Sequence, residues 1–346
     1  MIGIRDLARH LDISIGTVSR ALNDKADVNP NTRARVREAA TKLGYSPNQS
    51  GRSLRRGKTD LVGVIVPVGP NNVLINPVFL SVLDGLRRKL SERRLDIAIF
   101  LQGQDEEILG SLRRATERGL VDGVIISDIQ RVDPRIDYLL ERRRPFVAFG
   151  RSLSGGAHPW VDPDFEAAVD GAIGHLVDRG HERIGLLLPE GETNYLHLIA
   201  ATYRAALIKR GLAVEPAYMQ RRPAGEFGGY DAGEFMLAMK PPPSAILVSE
   251  ALQTIGLYRK LDEAGLRPGR DISVLGLLAE ERVLTLSPAL TSFATDWMAV
   301  GTRLGEALIE ALPVGASARG KAPPKMTQII TPAIFVEGDS VHRVDR

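Results

Sequence analysis

The chain is expected to fold as an all-α head followed by an α/β body of two open, parallel-sheet lobes. Three observations point there. Two short amphipathic helices sit within the first 23 residues, joined by a turn of only a few residues. From Leu61 onward, continuous apolar runs alternate with helix-length amphipathic segments, the signature of buried parallel strands with crossover helices. That alternation occurs as two successive series, which predicts two sheets with their carboxyl ends facing across a ligand cleft.

In the head, Ile4 to His10 carries Ile4, Leu7 and Ala8 on one face, and Leu11-Asp12-Ile13 makes a turn. Ser14 suits the N-cap of a second helix, which buries Val18, Ala21 and Leu22 and presents Ser14, Gly16, Thr17, Ser19, Arg20 and Asn23 on a polar, cationic face. Helices joined this closely must cross steeply, giving a helix-turn-helix whose polar face fits a major groove and its phosphates. Asn29 and Pro30 read as N-cap and first position of a third helix to Leu43, and Gly44 ends it. Residues 46–60 are a basic linker with Arg52, Arg55, Arg56 and Lys58, and Leu54 is the one large apolar side chain between Pro47 and Lys58. Ser50 and Gly51 disfavour a helix there, glycine by up to ~1 kcal/mol against alanine, so a helix is expected to form only on DNA.

In the body, strands are expected at 61–67, 95–101, 121–127 and 145–150, with helices at 76–90, 105–118 and 136–143. The second series puts strands at 183–189, 245–249 and 272–278, and helices at 164–179, 196–210, 228–239 and 251–264. The chain closes on a strand-like IITPAIFVEGDS. The expected domains are residues 1–45 as the DNA-binding head, 46–60 as hinge, and 61–346 as the two-lobed body.

Composition narrows the function. Residues 1–60 hold 12 Lys/Arg against 6 Asp/Glu in a chain of net charge +3, so a basic head sits on a mildly acidic body, as a polyanion-binding head requires. There is no cysteine, which removes disulfides, thiolate metal sites and cysteine nucleophiles and suits a reducing compartment. No secretory leader and no membrane-spanning apolar run is apparent, so a cytoplasmic protein without membrane association is expected. An enzyme is the first rival reading, but the sequence has no phosphate-binding, nucleophile-elbow or zinc motif, and no cofactor is expected. A secreted-type solute-binding protein without DNA binding is the second; the basic first 60 residues argue against it.

The ordered segments IRDLA (4–8), SIGTVSRALN (14–23), TRARV (32–36), LGYSPN (43–48) and RSL (52–54) resemble the LacI/GalR family of transcription regulators. NPVF (76–79), VDGVI (121–125), HL (175–176), GHERI (180–184), DISVLG (271–276) and LT (290–291) extend the likeness over essentially the whole chain. The resemblance implies Rossmann-like lobes of the periplasmic-binding-protein type. It also implies a homodimer, expected to be a repressor, that binds a near-palindromic operator in double-stranded DNA and is gated by a small-molecule effector, expected to be a sugar or sugar derivative. By that likeness Ile15, Gly16 and Arg20 read bases, while Thr17, Ser19, Asn23, Asn29 and Thr32 meet phosphates. In the hinge, Asn48 and Arg52 join them, and Leu54 is a minor-groove wedge. Phe79, Ser127, Arg151, Asp162, Asn194, Ser249 and Trp297 are the implied effector contacts. The chain departs from the family at Ile199, Ser249-Glu250 and the segment Gly276 to Glu280, where other members often grip sugar hydroxyls. Those replacements argue against a standard monosaccharide.

Overall fold

The computed structural model describes residues 3–22, 24–25, 27–45, 58–68, 77–103, 105–279, 283, 285–313 and 326–344. The chain divides into two units, Met1–Thr59 and Asp60–Arg346. Of the sequence-derived contacts, Asn23, Asn48, Arg52 and Leu54 lie outside the described residues, as does the expected hinge helix.

Among the described residues the head has three helices: α1 (Ile4–Leu11), α2 (Ile15–Leu22) and α3 (Pro30–Lys42). Each starts or stops where its local chemistry dictates. The Ser14 hydroxyl accepts the Thr17 N–H at 3.0 Å and begins α2. Asn29 accepts the Asn31 N–H at 2.9 Å ahead of Pro30 and begins α3. Leu7, Ala8, Val18, Ala21, Val28, Val36, Ala39 and Ala40 form one small core.

The body starts with β1 (Leu61–Pro67), α4 (Pro77–Ser91), β2 (Asp96–Gln102), α5 (Gly110–Glu117), β3 (Gly123–Ile126), α6 (Pro134–Glu141), β4 (Phe146–Phe149) and β5 (Trp160–Pro163). It continues with α7 (Phe165–Val177), β6 (Ile184–Pro189), α8 (Asn194–Lys209), β7 (Met219–Arg222), α9 (Glu226–Leu237), β8 (Ala245–Val248), α10 (Ala251–Glu263), β9 (Ser273–Ala279) and β10 (Thr291–Thr295). Last come α11 (Trp297–Ala311), β11 (Gln328–Thr331) and β12 (Ala333–Val336). The first sheet has the order β11-β5-β4-β3-β1-β2 and the second β12-β10-β9-β8-β6-β7. The two orders are the same topology written twice, so β1, β3 and β4 correspond to β6, β8 and β9. All pairings are parallel except β10 with β12.

The chain passes between lobes at three short segments: β5 to α7, β10 to α11, and β11 to β12. Two of these carry an aspartate that caps the next helix, Asp164 on the Ala167 N–H and Asp296 on the Ala299 N–H, both at 2.9 Å. The third carries Pro332, which divides the expected final strand into two short ones, one for each sheet. α11 returns to the first lobe and packs on α4, where Val300, Leu304, Ala307 and Leu308 meet Phe79, Val82, Leu86 and Leu90. The crossing is so close that a Cβ on Gly301 would lie 1.9 Å from the Val82 carbonyl oxygen. The second lobe repeats the device between α9 and α10, where a Cβ on Gly229 would lie 1.9 Å from the Gln253 carbonyl oxygen.

The helix expected at 105–118 is shorter at its start. The Glu106 carboxylate folds back to accept the Gly103 N–H and the Ser111 hydroxyl, so residues ahead of Gly110 form turns instead. His181 orders the turn ahead of β6: its ring bonds Ser244, Ser273 and the His342 carbonyl, and burial pushes its imidazole down to about 4. Among the described residues, no helix is long and apolar enough to cross a membrane.

Candidate DNA-reading face and effector cleft

On the head, the burial pattern separates core from face. Val18 and Ala21 of α2 are fully buried, whereas Ile15 is 41% exposed, a large apolar side chain that the head's own core does not use. Gly16 is exposed with only the Ser14 hydroxyl near its missing Cβ, so a surface can approach the backbone there. Thr17 shares a hydrogen bond with Ser14 at 2.9 Å, and Ser19 is half-buried. Arg20 is exposed and pairs loosely with Asp27, at 3.7 Å. Such a surface pair is worth at most about 1 kcal/mol, so the guanidinium is available to another acceptor. Asn29 is occupied as the α3 cap and Thr32 is half-buried on the first turn of that helix. Ile15, Gly16, Thr17 and Arg20 therefore share one short helix, while Asn29 and Thr32 stand at the start of the next.

In the body, the strand ends of the two lobes meet. The segment after β3 reaches the start of α8: the Asn194 N–H donates to the Ile129 carbonyl at 2.7 Å, and Gln130 and Thr193 form an antiparallel bridge. The Asn194 amide also donates to the Arg151 carbonyl at 2.7 Å. Arg151, just after β4, spans the boundary itself. Its Nε donates to Asp162 on β5 at 2.7 Å, and its two terminal nitrogens donate to Glu166 on α7 at 3.0 and 2.7 Å. The guanidinium also lies 5.6 Å from the Trp160 ring centre.

One guanidinium thus serves two carboxylates. Burial pushes the Asp162 carboxyl up to about 6 despite its arginine. Arg151 is held charged: burial opposes its charge, but its hydrogen bonds to Glu166 and Asp162 outweigh that.

Ser127 and Ser249 occupy corresponding places, directly after β3 and β8, and both are buried. The Ser127 hydroxyl reaches the Ile65 carbonyl at 3.3 Å, whereas the Ser249 hydroxyl has no protein partner among the described residues. Each is followed by an acid, and the two acids differ in use. Glu250 caps α10, accepting the Leu252, Gln253 and Gly225 N–H groups. Asp128 caps no helix among the described residues. Its backbone is left-handed at φ 51°, and its side chain is open to solvent yet deeply walled by protein, which raises its carboxyl above the usual range. Tyr195 stacks on Phe165 with ring centres 5.4 Å apart, and burial together with Asp128 and Glu250 pushes its phenol up.

Trp297 begins α11 at a lobe crossing, half-buried, with its indole N–H unpartnered among the described residues. Phe79 stands apart from the group: it is 6% exposed within the α4–α11 core. Ile199, one of the departures from the family pattern, is fully buried in the second lobe's core.

Behind this surface lies a buried ion pair that sequence reading missed. Arg135 is 2% exposed and Asp133 fully buried. Two nitrogens of Arg135 grip Asp133 at 2.9 and 2.7 Å, and Nη2 also donates to the Ser127 and Asp128 carbonyls at 3.0 and 3.1 Å. The Asp133 N–H donates to the Ser154 hydroxyl at 2.6 Å, which ties in the loop after β4. Asp128 had a legible signal, since VIIS-D (124–128) and ILVS-E (246–250) are the same motif in two lobes. Glu166 and Arg135 had none, because their partners are distant in sequence or depend on a turn.

Comparison with known proteins fits this architecture. Residues 3–48 match the family described as bacterial regulatory proteins, lacI family, and residues 173–341 match the periplasmic binding protein-like domain. The HTH-type transcriptional regulator AglR of Rhizobium meliloti (strain 1021) is 33% identical over 316 residues, covering 89% of this chain and 87% of that protein. A lac repressor dimer bound to operator and the anti-inducer ONPF shares the fold, with a TM-score of 0.84, 21% identity and 98% of each chain covered. The fold is also that of a CelR–cellobiose complex, described as a transcriptional regulator, with a TM-score of 0.73, 23% identity, and 98% of this chain and 100% of that one covered. The chain belongs to the LacI family, and is a DNA-binding transcriptional regulator rather than an enzyme.

Proposed function

We propose that the protein acts in the cytoplasm as a homodimeric repressor of a near-palindromic operator, gated by a carbohydrate-type effector bound between the lobes. Residues 1–45 would read the operator, 46–60 would form a DNA-dependent hinge, and 61–346 would sense the effector and dimerise. The observation that carries the effector reading is the joining of Arg151, Asp162 and Asn194 at the inter-lobe boundary, with Ser127, Asp128 and Ser249 directly after the strands β3 and β8. Carboxylates, amides and hydroxyls beside aromatic rings are the chemistry that grips vicinal hydroxyls. The CelR–cellobiose complex supports the same ligand class by its fold.

Within this scheme Ile15, Gly16 and Arg20 contact bases, and Thr17, Ser19, Asn23, Asn29, Thr32, Asn48 and Arg52 contact phosphates, with Leu54 as the wedge. Trp297 flanks the effector; Phe79 acts by supporting the lobe wall. Self-association is supported by apolar side chains that the described residues leave exposed, among them Leu80 on α4 and Ile99 and Leu101 on the edge strand β2.

The test has two arms. Sites recovered by genomic footprinting should be near-palindromic and should shift as a dimer in gel assays. Isothermal titration with a panel of mono- and disaccharides including cellobiose should find a binder that changes affinity for such a site. A protein that binds its sites as a monomer, or one whose operator affinity no sugar alters, would overturn the corresponding part.

A further inference from the structure

The lobe boundary holds more acid than its cations can neutralise. Arg151 divides its guanidinium between Asp162 and Glu166. Arg135 is engaged by Asp133, at 2.9 and 2.7 Å, and by the Ser127 and Asp128 carbonyls. Arg221 donates to the Gly191 carbonyl at 2.9 Å. Glu250 is occupied by the N–H groups of Leu252, Gln253 and Gly225. Asp128 is left over. Its carboxylate makes no hydrogen bond or ion pair among the described residues, and the cation whose charge it feels is Arg135. Arg131, near in sequence, is exposed and adds nothing to that field.

Two backbone links fix where Asp128 stands. The Asn194 N–H holds the Ile129 carbonyl at 2.7 Å, and Gln130 bridges Thr193. Asp128 comes directly before Ile129 in the first lobe and Tyr195 directly after Asn194 in the second, so both stand at one junction. The Tyr195 phenol accordingly feels the charge of Asp128 and also that of Glu250. Its ring is stacked on Phe165, with centres 5.4 Å apart. A carboxylate without a partner beside aromatic rings is suited to an ammonium group, through charge-assisted hydrogen bonds and attraction to the ring faces.

A second, independent observation points to a ligand. Ser249, directly ahead of Glu250, is 4% exposed, and its hydroxyl has no partner among the described residues. It stands at the strand end from which Glu250 acts on Tyr195. Its counterpart in the first lobe, Ser127, reaches the Ile65 carbonyl at 3.3 Å. A buried hydroxyl left unsatisfied by the protein calls for water or a ligand to complete it.

The charge balance selects the ligand class. A sugar acid or sugar phosphate would add negative charge to a boundary that already holds Asp128, Asp162, Glu166 and Glu250, and the Arg151 guanidinium is already shared. A neutral sugar would exclude water from Asp128 and leave it unpaired, although burial already raises that carboxyl above its usual range. A protonated amine supplies both the missing charge and the missing donors.

Resting on the effector reading above, we propose that the effector is an amino sugar whose protonated amine is held by Asp128 beside the Tyr195–Phe165 pair.

The experiment is isothermal titration of the full chain with matched sets of gluco, galacto and manno sugars. Each set contains the neutral sugar, its 2-amino-2-deoxy derivative and its uronate. In at least one set the amino sugar should bind more tightly than its neutral parent by roughly ten- to a hundredfold, the effect of a hydrogen bond to a charged group, and the uronate should bind most weakly. Asp128→Asn keeps the shape of the side chain and tolerates the left-handed φ of 51°. It should bring amino sugar and parent to within about twofold of each other. Glu141→Gln removes an exposed acid from the same lobe and should leave the preference unchanged. Neutral sugars that bind as tightly as their amino forms, a uronate that binds best, or an Asp128→Asn variant that weakens both forms alike overturns this proposal and leaves the carbohydrate reading standing. A panel in which no member binds more tightly than about 1 mM overturns both.

Discussion

Replacing Arg135 by methionine should destabilise the body severely, and the structure indicates by how much. The substitution keeps most of the apolar stem, so little packing volume is removed. It strips Asp133, which is fully buried, of two guanidinium hydrogen bonds at 2.9 and 2.7 Å. It also leaves the Ser127 and Asp128 carbonyls without that donor. Asp133 would keep the Gln130 and Arg135 backbone N–H groups, not enough for a buried anion. Removing one partner of such a pair costs about 3–5 kcal/mol. For a body of this size that is a fall in melting temperature of roughly 6–10 °C. Scanning calorimetry of the single variant, and of Asp133→Asn/Arg135→Met, checks it. The double variant removes the stranded charge and should recover most of the loss. A single variant within about 1 kcal/mol of the parent would refute the reasoning, as would a double variant no better than the single.

Asp162 should make stability depend on pH in an unusual direction. Its folded value of about 6 lies above the ordinary 3.8. The stabilisation is therefore complete below about pH 4 and is lost as pH rises through about 6, by up to about 3 kcal/mol. The difference between parent and Asp162→Asn melting curves should carry that slope, and a flat difference between pH 4 and 7 would count against it. Gly301→Ala should force α4 and α11 apart, because its Cβ would sit 1.9 Å from the Val82 carbonyl oxygen. A cost of about 1–3 kcal/mol, read by chemical denaturation, is expected. Arg20→Gln should weaken binding to a footprinted site by about 1–3 kcal/mol while leaving mixed-sequence duplex affinity nearly unchanged, measured by competition in the anisotropy assay.

The repeated fold was legible because burial writes itself into composition. A fully interior strand such as Leu61–Pro67 must be apolar throughout, and Leu61 to Pro67 is. Four elements escaped, β5, β7, β10 and α11, and the three strands among them are short and carry polar residues that break the apolar run. β7 (Met219–Arg222) is an edge strand of largely polar residues with no alternation to read. α11 is periodic, but its glycines, placed for the close crossing on α4, weaken the helical signal. In the candidate site, residues on strand ends could be named from the motifs around them. Glu166 could not, because its role depends on a lobe crossing that brings α7 to Arg151.

The same crossings indicate how few interactions decide the lobe angle on the proposed reading. Between β5 and α7 the switch takes one residue, Asp164, which caps α7 with its side chain and donates its N–H to the Thr331 carbonyl at 2.9 Å. Crossings so short and so tightly bonded allow rotation of one lobe on the other but little translation. What opposes rotation on the cleft side includes Arg151 on Glu166, Asn194 on Arg151 and Ile129, and the Gln130–Thr193 bridge. Each such bond has a net worth of about 1 kcal/mol. Allosteric coupling needs about 1–3 kcal/mol. A ligand that displaced Glu166 from Arg151, or added a partner for the Ser249 hydroxyl, would change the balance by that amount. The sensing chemistry and the required coupling are therefore the same size, and no larger rearrangement of either lobe is needed to link them.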